Sequence, residues 1–199
     1  MRNQLLNKIH KNIFTENEIK SIYDKIINAD ESRTETISIY RQKAYFVDMP
    51  NEIVNKVTDI ANSIYNEQLQ LTEISFANYS IRPGQEDPIL SPHFDNTFLE
   101  PRVTLDVQLK SNIDWPIIIE GQPFTLKDNE ALTFSGTHQI HWREYRKFKE
   151  TDFIDMLFCH FTIKDNPEKI TMNEKIKVES QSIYWMNKFY QDIMKDLKQ

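Results

Sequence analysis

The residues with most capacity for chemistry here are histidines and carboxylates, and with only five histidines each can be weighed in turn. In Ser91-Pro92-His93-Phe94-Asp95 a histidine and an aspartate stand two positions apart. Successive side chains of an extended segment point to opposite faces, so His93 and Asp95 project together and Phe94 the other way. A neutral imidazole and a carboxylate on one face can take adjacent positions on a metal ion. A second imidazole would complete a two-histidine, one-carboxylate set that leaves three positions open for reactants at iron(II). Alone, a His-x-Asp triplet also describes a polar strand edge. The second imidazole is sought in Thr137-His138-Gln139-Ile140-His141-Trp142-Arg143-Glu144. His10 falls in the N-terminal helical region and His160 inside the last apolar strand, which leaves His138 and His141.

The elements that must position these residues are mainly β. From about 72 to 163, short β-rich runs at 73–81, 89–94, 102–110, 115–120, 122–126, 131–135, 138–143 and 153–163 are separated by turn chemistry such as RPGQ, EGQP, KDNE and SGT. Strands at that spacing without intervening helices predict an antiparallel sandwich or barrel. In the run 102–110, Val103, Leu105, Val107 and Leu109 form one face, and Arg102, Thr104, Asp106 and Gln108 the other. If helices cover the apolar face, the polar row lines the metal cavity; otherwise it meets bulk water. Helices are available. Thr15 and Glu18 form a capping box that starts a helix over about 15–28. Ile53, Val57, Ile60, Ala61 and Ile64 form one stripe of a second helix after Pro50. Residues 35–47 suggest a strand or hairpin between the two. Ile183, Met186, Phe189, Tyr190, Ile193, Met194 and Leu197 make a C-terminal helix expected to pack on the sheet. The economical reading is one α+β domain over 1–199, with 1–72 packed on a β core at 73–163 and a helical extension at 164–199.

Composition narrows the classes. Three glycines, Gly84, Gly121 and Gly136, lie too far apart for a dinucleotide-binding turn or a phosphate loop, and the nucleophile elbow of serine hydrolases is absent. The single cysteine, Cys159, excludes intrachain disulfides and multi-cysteine metal sites, and its apolar surroundings make it a packing residue. A net charge of -6 argues against a nucleic-acid or membrane-surface partner, although Arg143, Arg146, Lys147 and Lys149 cluster locally. With no signal peptide or membrane-length apolar run, a cytoplasmic protein is expected.

PHFD, then PRVTLDVQL, then ALTFSGTHQIHWRE and the closing strand FIDMLFCHF together resemble the double-stranded β-helix (a jelly-roll, cupin-like barrel) of the iron(II)/2-oxoglutarate-dependent oxygenases, over roughly half the chain. The run F-S-G-x-x-x-x-H-W-R-E is similar to a pattern in which the histidine before the tryptophan is the distal ligand. This resemblance therefore implies His93, Asp95 and His141 as metal ligands, with His138 as a pocket residue beside Thr104, Asp106 and Gln108. It further implies Fe(II), 2-oxoglutarate as cosubstrate, release of succinate and CO2, and hydroxylation of a C–H bond. Halogenation is not implied, because Asp95 fills the ligand position that halogenating relatives leave vacant. The chain departs from the pattern in one place. Family members carry an arginine or lysine about ten residues after the distal histidine to pair with the far carboxylate of 2-oxoglutarate, but Glu150, Thr151, Asp152 and Phe153 stand there. Arg143, on the same strand face as His141, and Arg102, at the head of the polar row, are the candidate replacements, with a surface position the alternative for each; Tyr79 is either a hydrogen-bond donor to the cosubstrate or, more simply, a core tyrosine.

Two other classes stay open on the sequence. One is a zinc- or manganese-dependent hydrolase or isomerase on a cupin-like barrel. The other is a non-catalytic β-barrel binding module. The substrate stays open among a small metabolite, an amino acid, a peptidyl side chain and, against the net acidity, a nucleobase, and the terminal helices either shape its access or mediate a homodimer.

Overall fold

The computed structural model describes residues 7–29, 34–35, 43–81, 87–95, 103–165 and 172–196. In chain order they form β1 (Lys8–Lys11), α1 (Glu16–Ile27), β2 (Thr34–Glu35), β3 (Lys43–Phe46), α2 (Asn51–Asn62), β4 (Leu69–Ser80), β5 (Leu90–His93), β6 (Val103–Ser111), β7 (Ile117–Ile119), β8 (Gln122–Phe124), β9 (Glu130–Phe134), β10 (His141–Arg143), β11 (Phe153–Ile163) and α3 (Met172–Asp196). The strands make two sheets. One has seven strands in the order β1-β9-β6-β11-β4-β3-β2, the other four in the order β5-β10-β7-β8. Every described pairing is antiparallel. Antiparallel β-sheets thus dominate, with three helices on their outer faces.

Side-chain alternation determines the layers. Val103, Leu105, Val107 and Leu109 of β6 pack with Leu157, Cys159 and Phe161 of β11 against Ile22 and Ile26 of α1 and Ile53, Val57 and Ala61 of α2. Each fully buried leucine or valine there contributes about 1.5–3 kcal/mol. Because two helices cover this face, the alternate residues of β6 and β11 turn inward toward the four-stranded sheet. Ile117, Ile119, Leu132, Phe134, Ile154 and Met156 close the space between the sheets. On the far side, Phe189 and Ile193 of α3 pack on Ile118, Ile140 and Trp142.

Local chemistry explains the element boundaries. Thr15 and Glu18 form the capping box at the start of α1. β7 and β8 are joined by Glu120 and Gly121, both at positive φ (50° and 87°), which is the twist a two-residue hairpin loop requires. Three expectations need correction. His10 is not in a helix but in β1, whose edge pairing with β9 supplies its backbone partners. The run 138–143 is a strand only over 141–143, because Gly136–His138 turn, with the N–H groups of His138 and Gln139 bonded to the Ser135 carbonyl. Of the C-terminal stripe, Phe189 and Ile193 pack on the sheet, whereas Ile183, Tyr190 and Met194 are exposed; Leu197 lies outside the described residues. No described helix is long and apolar enough to cross a membrane.

Candidate metal centre

Two neighbouring strands of the smaller sheet bring the histidines together. β10 lies beside β5 with His141 opposite His93, and the two rings stand 4.2 Å apart. β5 ends at His93, but the N–H of Asp95 donates to the Gly136 carbonyl at 2.9 Å and holds the aspartate on the same side. The donor atoms of His93, Asp95 and His141 lie within 4.8 Å of one another, with His141 Nε2 3.4 Å from Asp95 Oδ1.

The surroundings prepare these atoms for a cation. His93 Nδ1 lies 2.7 Å from the Ser91 carbonyl and His141 Nδ1 3.0 Å from the Gln139 carbonyl. A carbonyl only accepts, so each Nδ1 carries the proton and each Nε2 offers a lone pair to the centre. Burial alone would neutralise Asp95, but His141 and His160 hold its carboxyl well below the usual range. The same pairing raises the His141 pKa against the effect of burial. Gly136 contributes by having no side chain. A Cβ there would sit 2.6 Å from Asp95 Cγ and 2.5 Å from Thr104 Oγ1, with Asp95 Oδ2 closer still. A neutral-imidazole, carboxylate set of this kind suits a divalent cation such as iron(II).

Thr104 belongs to the site, donating to Asp95 Oδ2 at 2.9 Å. Asp106 is buried on the same face, and burial followed by the Asp95 charge pushes its carboxyl up to about 7. Gln108 is also buried but spent elsewhere, on the Leu126 carbonyl and Ser111. His138 is separate from the three: its Nδ1 sits 3.0 Å from both Ser135 Oγ and Thr137 Oγ1 in the turn. Arg102 lies outside the described residues. Arg143 is buried between the sheets, donating to the Trp115 carbonyl, with Nη2 3.8 Å from Met156 Sδ. Its guanidinium lies 5.1 Å from the Trp115 ring and 5.9 Å from the Tyr79 ring, and among the described residues no carboxylate forms an ion pair with it. Asp152, at the usual anchor position, accepts from the Lys149 N–H in a turn.

His160 was passed over in the sequence as part of an apolar strand, yet its Nε2 is 3.5 Å from Asp95 Oδ2 and its Nδ1 3.4 Å from Glu73 Oε1. Burial disfavours its imidazolium, but the two carboxylates prevail and lift its pKa to about 10. A signal existed: His160 shares a β11 face with Met156 and Phe158, and a buried imidazole needs partners.

No protein-family model matches the chain and no curated protein matches it in sequence. Solved structures do. HygX from Streptomyces hygroscopicus, crystallised with nickel and 2-oxoglutarate, superposes with a TM-score of 0.63 at 12% identity, over 84% of this chain and 87% of that one. This chain has the fold of the 2-oxoglutarate- and iron(II)-dependent oxygenases. The viral collagen prolyl hydroxylase of Paramecium Bursaria Chlorella virus-1, a 2-oxoglutarate complex, matches with a TM-score of 0.52 and 12% identity, covering 81% and 97% of the chains. SnoN, a non-haem 2-oxoglutarate-dependent epimerase of nogalamycin biosynthesis, gives 0.62 at 8% identity, over 81% and 80%. These likenesses are of fold: at such identities, residue roles must be argued from this chain's own side chains.

Proposed function

We propose that this protein is an iron(II)- and 2-oxoglutarate-dependent oxygenase that hydroxylates a C–H bond of a small-molecule or peptidyl substrate. The observation that carries the reading is the convergence of His93, Asp95 and His141, each histidine with Nδ1 engaged by the carbonyl two residues before it and Nε2 turned inward. On this reading the two sheets wind as a double-stranded β-helix, with residues 73–163 as the core of one domain. HygX, crystallised with iron or with nickel and 2-oxoglutarate, supports the choice of ligands for a shared fold.

When bound, iron(II) couples decarboxylation of 2-oxoglutarate to succinate and CO2 with oxygen transfer to the substrate. The chain's own residues bind, orient and exclude water. His93, Asp95 and His141 would hold the metal, and Thr104 and His160 fix the Asp95 carboxylate. Arg143 serves as the anchor for the far carboxylate of 2-oxoglutarate. A guanidinium buried without an anion is costly, and its planar fork matches a carboxylate. Tyr79, Trp115 and Met156 wall it from water, which strengthens the pairing.

The test is anaerobic titration of 2-oxoglutarate into the iron(II)-loaded protein. Chelation by the keto acid gives a weak visible charge-transfer band, and succinate then forms only with iron(II), oxygen and 2-oxoglutarate together. Asp95→Ala loses iron and the band while keeping the wild-type circular dichroism. A wild-type protein that binds the metal but shows no band would refute the reading in favour of a zinc or manganese hydrolase.

A further inference from the structure

One polar group between the sheets is unused by the assignment above, and it lies on β6 between the residue that touches Asp95 and the one opposite Met156. Strand register orders the inner face of β6. Thr104 lies opposite His160 of β11 and touches Asp95, so it marks the metal end. Gln108 lies opposite Met156, the residue against which the Arg143 guanidinium rests, so it marks the anchor end. Asp106 is midway, opposite Phe158 of β11 and Leu132 of β9. It is 4% exposed, and its Oδ1 has no hydrogen-bond partner.

Resting on the oxygenase reading, we propose that Asp106 is a cosubstrate-binding residue that carries a proton and donates it in a hydrogen bond to the carboxylate of 2-oxoglutarate paired with Arg143. An ionised Asp106 would place a fourth carboxylate beside the two of the dianion and that of Asp95 in a water-poor space. Protonated, it becomes the donor that a carboxylate there needs, and the unpartnered oxygen no longer faces a like charge. Charge also balances. A divalent cation and Arg143 offset Asp95 and the dianion, leaving none over for Asp106, while His160 and Glu73 offset each other. The groups that act on Asp106 are Asp95 beyond the end of β5, His141 and Arg143 of β10, and His160 of β11. In the metal-free protein, burial and Asp95 outweigh His141, Arg143 and His160 and push the carboxyl up to about 7. A bound dianion raises it further, so binding takes up a proton above neutrality.

The experiment is calorimetric titration of 2-oxoglutarate into protein loaded with manganese(II), in buffers of differing ionisation enthalpy, from pH 6 to 9. Proton uptake by the wild type should climb with pH towards one per site as Asp106 of the metal-loaded protein ionises, with Kd weakening about tenfold per pH unit above that point. Asp106→Asn, isosteric and a permanent donor, should bind with no proton uptake and a Kd flat with pH. 2-Oxobutyrate, which lacks the far carboxylate, should show no pH dependence with either protein. Binding by the wild type without proton uptake, or equal uptake by the Asn variant, would overturn the role of Asp106 and leave the oxygenase reading standing. Absence of any binding heat from manganese-loaded wild type would instead sink the reading beneath it. The wild-type proton count needs no variant to fold.

Discussion

Replacement of Gly136 by alanine should separate metal binding from folding, because the contacts it creates fall on Asp95 and on Thr104, the residue that hydrogen-bonds it. A Cβ at 136 would lie 2.6 Å from Asp95 Cγ, against 3.4 Å for ordinary contact, and closer still to Asp95 Oδ2, so the carboxylate must retreat by more than about 0.8 Å. Metal sites tolerate ligand displacements of only about 0.2 Å. Retreat is opposed on two sides, by Thr104 Oγ1 at 2.9 Å and His160 at 3.5 Å. Overpacking of this kind costs about 1–3 kcal/mol, and loss of ligand position about 10–100-fold in metal affinity. Competitive titration with a chromophoric chelator reads the affinity, and urea denaturation of the metal-free protein reads the stability. In an Asp95→Ala background the carboxylate is gone, so the stability penalty of Gly136→Ala should shrink markedly; non-additivity is the signature of a shared contact. A Gly136→Ala protein with wild-type iron affinity, or a penalty unchanged by Asp95→Ala, would refute the idea that this glycine exists to seat the aspartate.

Two further outcomes test the neighbouring groups. Arg143→Met keeps the bulk but removes the charge; it should weaken 2-oxoglutarate binding by roughly 10–100-fold, the worth of a charged hydrogen bond, measured by calorimetry. The same change should leave the metal-free protein as stable as wild type or more so, since a buried cation without an anion is lost, measured as Tm. In the metal-free protein, His160 holds its proton to about 10 when folded and to about 6.5 when unfolded. Its contribution is therefore complete below 6.5 and is lost as pH rises through 10, at up to about 1.4 kcal/mol per pH unit in between. Denaturation midpoints of wild type should fall across that window more steeply than those of His160→Gln, and parallel slopes would refute the pairing with Asp95 and Glu73.

How much of this was legible depended on the range of the forces involved. Strand alternation is local, so the shared side of His93 and Asp95 and the two faces of β6 could be read directly, and the capping box placed α1. The inward turn of the polar row needed only one more premise, that α1 and α2 cover the other face, and the core shows them there. Pairing with a distant edge is not local. Lys8–Lys11 is too short to show a period, and it is a strand because β9 offers an open edge. His160 was obscured by its apolar neighbours, although the same alternation that exposes Thr104 places it inward.

The proposed role of Arg143 as a displaced anchor follows from similar geometry. Alternation alone puts Arg143 on the face of His141, but only the packed structure shows its charge enclosed by Trp115, Tyr79 and Met156 with no carboxylate partner among the described residues. A cation at the start of the last strand would approach the cosubstrate from the seven-stranded sheet. In this chain that corner is a turn closed by Asp152, and the guanidinium reaches the same space from the opposite sheet, two residues beyond a metal ligand. Metal and anchor then share the short strand β10, so their separation is set by one segment of backbone rather than by the docking of two sheets. On the proposed reading, an acidic group between them on the facing sheet is tolerable only if it keeps its proton, so the charge state of Asp106 would decide whether a dianion can enter.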